Sequence, residues 1–166
     1  MISLITGGIK SGKSSYALTC CDSYKTKVFF ATAESFDKEM KEKIKKHREE
    51  RDNNWITIEE PLYLPEKILE LSDCDCILID CITMWINNLM HYNMDLQLHI
   101  SHFISSLKKI STSFITIVTN EVGYGIIPDD EYTRKFITYL SLTNKQISEV
   151  SDDVYLMVAG IPLKIK

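Results

Sequence analysis

Residues 7–14 read Gly-Gly-Ile-Lys-Ser-Gly-Lys-Ser and satisfy the pattern G-x-x-x-x-G-K-[ST] at Gly7, Gly12, Lys13 and Ser14. Each residue type has a physical reason. Glycines let backbone N–H groups converge on phosphate oxygens with no Cβ in the way. Lys13 brings a mobile point charge to the terminal phosphates, and the Ser14 hydroxyl suits Mg²⁺. Gly8, Ile9, Lys10 and Ser11 complete the cradle. A chance match in a chain of this composition is roughly a one-in-a-hundred event. An apolar stretch before the loop and a helical pattern after it supply the context the motif requires. The chemistry implied is binding of a nucleoside triphosphate.

Asp80 is the expected acid partner, at the end of the apolar run Cys76–Asp80. An acid in that place holds Mg²⁺ directly or through water. A second candidate comes from residues 37–52, DKEMKEKIKKHREERD. The pairs Glu39/Lys43, Glu42/Lys46 and Lys46/Glu50 suit a solvated helix. Met40, Ile44, His47 and Arg51 nonetheless fall on one stripe, the face that turns inward. His47, flanked by Arg48 and Arg51, reads either as a packed structural histidine or as a nucleophile or acid/base group beside phosphates. His91, His99 and His102 have no acid or cysteine to complete a metal set. Cys20, Cys21, Cys74, Cys76 and Cys81 have poor zinc spacing and read as reduced, packed thiols.

The elements that must position these groups alternate between strand and helix. Apolar strands are expected at Ile2–Thr6, Val28–Thr32, Trp55–Glu59, Cys76–Asp80, Phe114–Thr119 and Val154–Val158, with a short last one at Pro162–Ile165. Helices are expected at Ser14–Tyr24, Asp37–Asp52, Glu66–Leu71, Thr83–Met90, Asp95–Ile110 and Asp130–Val150. Such alternation implies an α/β fold with a mostly parallel central sheet flanked by helices. With 166 residues and no linker or repeat, one domain over residues 1–166 is expected. The net charge of -4 argues against a nucleic-acid partner. Met1–Thr6 reads as a strand and not a signal peptide, and no run is long enough to span a bilayer. A cytoplasmic location is the default expectation.

Taken together, the ordered blocks resemble a known family, the bifunctional adenosylcobinamide kinase/adenosylcobinamide-phosphate guanylyltransferases of cobalamin assembly. The likeness rests on Thr6-Gly7-Gly8 with Ser11-Gly12-Lys13-Ser14, and on Ala31-Thr32-Ala33-Glu34. Asp37, Glu39-Met40, Ile44, His47-Arg48 and Arg51 continue it, followed by Trp55, Thr57, Glu59, Pro61, Asp80-Cys81 and Asn88-Leu89. The last blocks are Asn120-Glu121-Val122-Gly123 with Gly125, Pro128, Arg134 and Asn144, then Ala159-Gly160-Ile161-Pro162-Leu163. The resemblance implies a RecA-like P-loop fold and two activities. One is phosphorylation of the aminopropanol hydroxyl of adenosylcobinamide by ATP or GTP. The other is transfer of GMP from GTP to adenosylcobinamide phosphate. It further implies His47 as the nucleophile that carries GMP. Thr32, Ala33, Glu34, Arg48, Glu49, Glu50, Arg51, Glu59 and Asp80 would then lie around the nucleotide, Mg²⁺ would accompany it, and the chain would form a homotrimer.

Glu121 is a candidate for orienting substrate or metal. The chain departs from the family pattern at Lys10 and Lys43, where arginine is usual. It departs again at Ile137, Thr138 and Ser141, where an Arg-Asp pair and a glycine are usual. Two other readings of the phosphate loop alone stay open: a monofunctional small-molecule kinase and a nucleotide-binding regulator.

Overall fold

The computed structural model describes residues 1–34, 54–71 and 74–166. The helix expected at Asp37–Asp52 lies outside the described residues. Seven strands are found among those described: β1 Ile2–Gly7, β2 Lys27–Ala31, β3 Trp55–Glu59, β4 Cys76–Asp80, β5 Phe114–Val118, β6 Asp153–Val158 and β7 Ile161–Lys164. The helices are α1 Lys13–Cys20, α2 Leu64–Leu69, α3 Ile82–His91, α4 Leu96–Lys109 and α5 Glu131–Val150. The strands form one sheet in the order β3-β2-β4-β5-β1-β6-β7. Every pairing is parallel except β6 with β7.

Continuous apolar strands are what a sheet covered on both faces requires. Alternate residues of β4 show this directly. Ile77 and Ile79 join the core formed with α2, α3, α4 and α5, where Trp85 and Phe103 are fully buried. Cys76 and Leu78 face the other way, into a smaller core with Ala17 and Cys21 of the α1 segment.

The helix ends follow local chemistry. Asp95 and Asp130 cap α4 and α5 by accepting from Leu98 N and Thr133 N at 3.0 and 2.7 Å. Helix α2 starts at Leu64, two residues before its expected start, because Pro65 fits a first turn. Helix α1 stops at Cys20, short of Tyr24: Cys21 N bonds Leu18 O and Asp22 N bonds Thr19 O, tightening the end into i→i−3 turns.

The neighbouring parallel strands β2, β4 and β5 end at the same level, and β1 runs two residues further. Ala31 of β2 is in register with Asp80 of β4, and Asp80 with Val118 of β5. Ile5 of β1 is in register with Val118, so the phosphate loop leaves the sheet just beyond that row. In open parallel sheets this carboxyl edge is where ligands bind.

Candidate nucleotide site

The loop between β1 and α1 has its glycines where they are needed. Gly7 has φ 148°, and a Cβ there would lie 2.6 Å from the Met157 carbonyl oxygen. Gly12 has φ 93° and stands as the N-cap of α1 with no side chain capping the helix. The first-turn N–H groups of α1 are therefore left to an anion, at the positive end of the helix dipole. The hairpin turn between β6 and β7 braces the loop from outside, as Gly160 N donates to Ser11 O at 3.1 Å. Buried Ser11 Oγ has no protein hydrogen bond among the described residues.

Lys13 is only 8% exposed, and its Nζ donates to Gly8 O at 2.6 Å, lying across its own loop. Burial lowers its ammonium pKa below the usual 10.5, while Cys81 and Asp80 beside it pull the other way. The lysine is thus a desolvated charge next to an acid, on the strand two places along the sheet from β1. Burial, reinforced by Asp80, pushes the Cys81 thiol up to about 12. It stays protonated near neutral pH and is no thiolate nucleophile.

The segment Thr32–Glu34 is fixed against the same acid. Thr32 N donates to Asp80 O at 3.2 Å. The Thr32 hydroxyl donates to Cys81 O and accepts from Cys81 N, both at 2.7 Å. Asn88 Nδ2 donates to Thr32 O at 2.7 Å, and Tyr92 donates its phenol proton to Glu34 at 3.0 Å. Glu59 ends β3 in register with Ala31. The fold therefore brings Gly7, Gly8, Ile9, Lys10, Ser11, Gly12, Lys13, Ser14, Thr32, Ala33, Glu34, Glu59 and Asp80 to one edge of the sheet. His47, Arg48, Glu49, Glu50 and Arg51 lie outside the described residues.

Three supports of this edge were not foreseen from residue type: the Gly160 brace, the Asn88 tie and a set around Glu121. Thr6 donates its hydroxyl proton to Glu121 Oε1 at 2.9 Å, and Asn144 Nδ2 donates to the same oxygen at 3.2 Å. An asparagine on an otherwise apolar helix face was the available signal for both Asn88 and Asn144. The departures at Ile137 and Thr138 gather on one cavity of about 240 Å³, lined also by Val122, Ile126, Pro128 and Arg134.

The family model described as cobinamide kinase / cobinamide phosphate guanyltransferase matches residues 3–165. Among curated relatives, the bifunctional adenosylcobalamin biosynthesis protein CobU of Escherichia coli (strain K12) is 30% identical over 182 residues, covering all of both chains. The bifunctional adenosylcobalamin biosynthesis protein CobP of Pseudomonas aeruginosa is 32% identical over 170 residues, covering 100% of this chain and 98% of the relative. Among solved structures, a KaiC-like protein of Pyrococcus horikoshii OT3 superposes with a TM-score of 0.52 at 14% identity, over 93% of this chain and 69% of that one. The VirB11 ATPase of the Brucella suis type IV secretion system gives 0.50 at 11%, over 99% and 47%. These structural likenesses bear out the expected RecA-like P-loop fold.

Proposed function

The chain belongs to the cobinamide kinase / cobinamide phosphate guanyltransferase family of transferases, and on that premise we propose a two-reaction course in cobalamin biosynthesis through a histidine–GMP intermediate. Adenosylcobinamide is first phosphorylated by ATP or GTP, and GMP is then transferred from GTP to adenosylcobinamide phosphate. The observation that carries the reading is the phosphate loop itself: an uncapped helix start, a desolvated Lys13, and Asp80 beside it.

In the first reaction the aminopropanol oxygen attacks the γ-phosphorus and the nucleoside diphosphate leaves. The loop amides and Lys13 take up the charge that spreads over the phosphate oxygens. In the second, neutral His47 imidazole attacks the α-phosphorus of GTP in line, and pyrophosphate leaves onto the same loop. The substrate phosphate then attacks the N-bound phosphorus and frees His47. Two displacements replace one direct attack between anions. The reading of His47 is supported by the sequence spacing of Met40, Ile44, His47 and Arg51, which predicts one inward stripe.

Ser14 hydroxyl and Asp80 carboxylate are hard oxygen donors beside the phosphates, the set that suits Mg²⁺. Bound there, the ion would neutralise phosphate charge. Residues 1–166 are read as one domain carrying both activities, located in the cytoplasm. No helix among the described residues is long and apolar enough to cross a membrane. The homotrimer implied by the resemblance is carried forward, with exposed Ile161 and Leu163 on edge strand β7 as apolar surface for it. Light scattering of the purified protein tests that count.

Incubation with GTP labelled at the α-phosphate should give an acid-labile protein adduct that is lost in His47→Ala. An unlabelled wild type with intact kinase activity would refute the covalent route.

A further inference from the structure

Glu121 leaves the sheet just after β5, between the strand that carries the phosphate loop and the strand that carries Asp80. Its backbone N–H donates to Gly7 O at 3.1 Å, which ties it to the first residue of the loop. Its carboxylate is held by an ordered relay. Thr119 donates its hydroxyl proton to Asn144 Oδ1 at 2.8 Å, which turns the Asn144 amide nitrogen toward Asn120 O and Glu121 Oε1. Thr6 donates to the same Oε1.

Both donors fall on Oε1. Oε2 has no protein hydrogen bond among the described residues, and the side chain is half-buried. A carboxylate kept only to close a loop would need one oxygen. Here one oxygen is spent on orientation and the other is left for a ligand, which is how a fixed acceptor is built. The cavity bounded by Val122, Ile126, Ile137 and Thr138 opens at the next residue of the chain, a place for the arm of an acceptor to approach.

We propose that Glu121 is the catalytic base of the phosphorylation reaction alone. The inference rests on the two-reaction reading above. An alcohol must lose a proton as its oxygen forms the new bond to the γ-phosphorus. That proton passes to Glu121 Oε2, the bond from phosphorus to the bridging oxygen breaks, and the nucleoside diphosphate carries the electron pair away. Glu121 then gives the proton to water. The guanylyl half-reactions need no such base. Neutral imidazole attacks through its unprotonated ring nitrogen and the substrate phosphate through an anionic oxygen, so neither attacking atom carries a proton that must leave as the bond forms.

The test separates the two reactions in one purified protein. Glu121→Gln keeps the shape and the Oε1 acceptor. With adenosylcobinamide and triphosphate, its phosphorylation kcat should fall about 10²–10⁴-fold, the usual range for a lost general base, with nucleotide KM little changed. With GTP and adenosylcobinamide phosphate supplied directly, GMP transfer should stay within about twofold. Unchanged phosphorylation overturns the proposal. So does parallel loss of both reactions, which would make Glu121 a metal ligand or a support of the loop. The same selective loss in Glu34→Gln, with Glu121→Gln active, would move the base to Glu34 and overturn it too. Should the glutamine variant melt early, Glu121→Asp must keep phosphorylation at least about tenfold above it, and equal rates count against the proposal. A wild type that transfers no GMP refutes the two-reaction reading itself.

Discussion

Gly7 and Gly8 look interchangeable in the motif, yet the fold treats them differently, and an alanine at each makes the difference measurable. At Gly7 a Cβ would stand 2.6 Å from Met157 O and 2.9 Å from Ser11 Oγ, and φ is 148°. The nearer obstacle is backbone of β6, in register with Gly7, and cannot swing aside as a side chain would. A conformation largely reserved for glycine costs about 1–3 kcal/mol in another residue. The steric conflict adds about 1–3 kcal/mol. At Gly8 nothing lies within 4 Å of the added carbon, and φ is not positive. Gly8→Ala should therefore stay within about 0.5 kcal/mol of the wild type. A loss of about 3 kcal/mol in Gly7→Ala lowers Tm by roughly 6–12 °C in a chain of this size. Thermal unfolding read by circular dichroism, together with triphosphate binding by calorimetry, checks both. Equal Tm values for the two variants would refute the reasoning, because they would mean that β6 does not hold the loop from behind.

Lys13→Ala should weaken triphosphate binding and suppress both transfers in a folded protein; guanylylation at the wild-type rate would require a separate nucleotide site. Burial also moves the alkaline limit of binding: in the wild type, affinity should decline with rising pH before the ordinary lysine value of 10.5, as the ammonium loses its proton. The Cys81 thiol, ordinarily near 9.0 and pushed to about 12 in the fold, adds a second pH effect. Its proton leaves the unfolded chain first, so its contribution to stability is intact below about 9 and is lost between about 9 and 12. Denaturant titrations of the wild type and Cys81→Ser across that window should diverge. Trp85→Ala removes a fully buried ring and the bond from its Nε1 to Leu62 O at 2.9 Å, and should cost about 3–5 kcal/mol in urea unfolding without altering the loop residues.

Strand and helix identity were readable because the patterns are strong: β4 is an apolar run closed by Asp80 and β5 is apolar apart from Thr116, while Asp95 and Asp130 mark the starts of α4 and α5 as caps do. Boundaries failed where local hydrogen bonding decided them, at the tightened end of α1 and at the Pro65 start of α2. The final short strand was foreseen at Pro162–Ile165 and lies at Ile161–Lys164, but its antiparallel turn against β6 depends on which edge of the sheet it meets. Parallel order is a matter of packing between distant segments, and no spacing in the chain reveals that β1 sits between β5 and β6.

By itself the sequence determined the residue chemistry of the phosphate loop. Spacing fixes Gly7, Gly12, Lys13 and Ser14 within one strand-turn-helix unit, and backbone geometry is local. It also determined the family, through blocks spread along the whole chain. Only the tertiary structure decided which glycine is crowded, that Gly160 braces Ser11 from a hairpin some 150 residues away in sequence, and that Thr6 and Asn144 fix one oxygen of Glu121. Those are contacts between separate strands and helices. Their geometry comes from the register of the sheet and the burial it imposes, which no local pattern of residues carries.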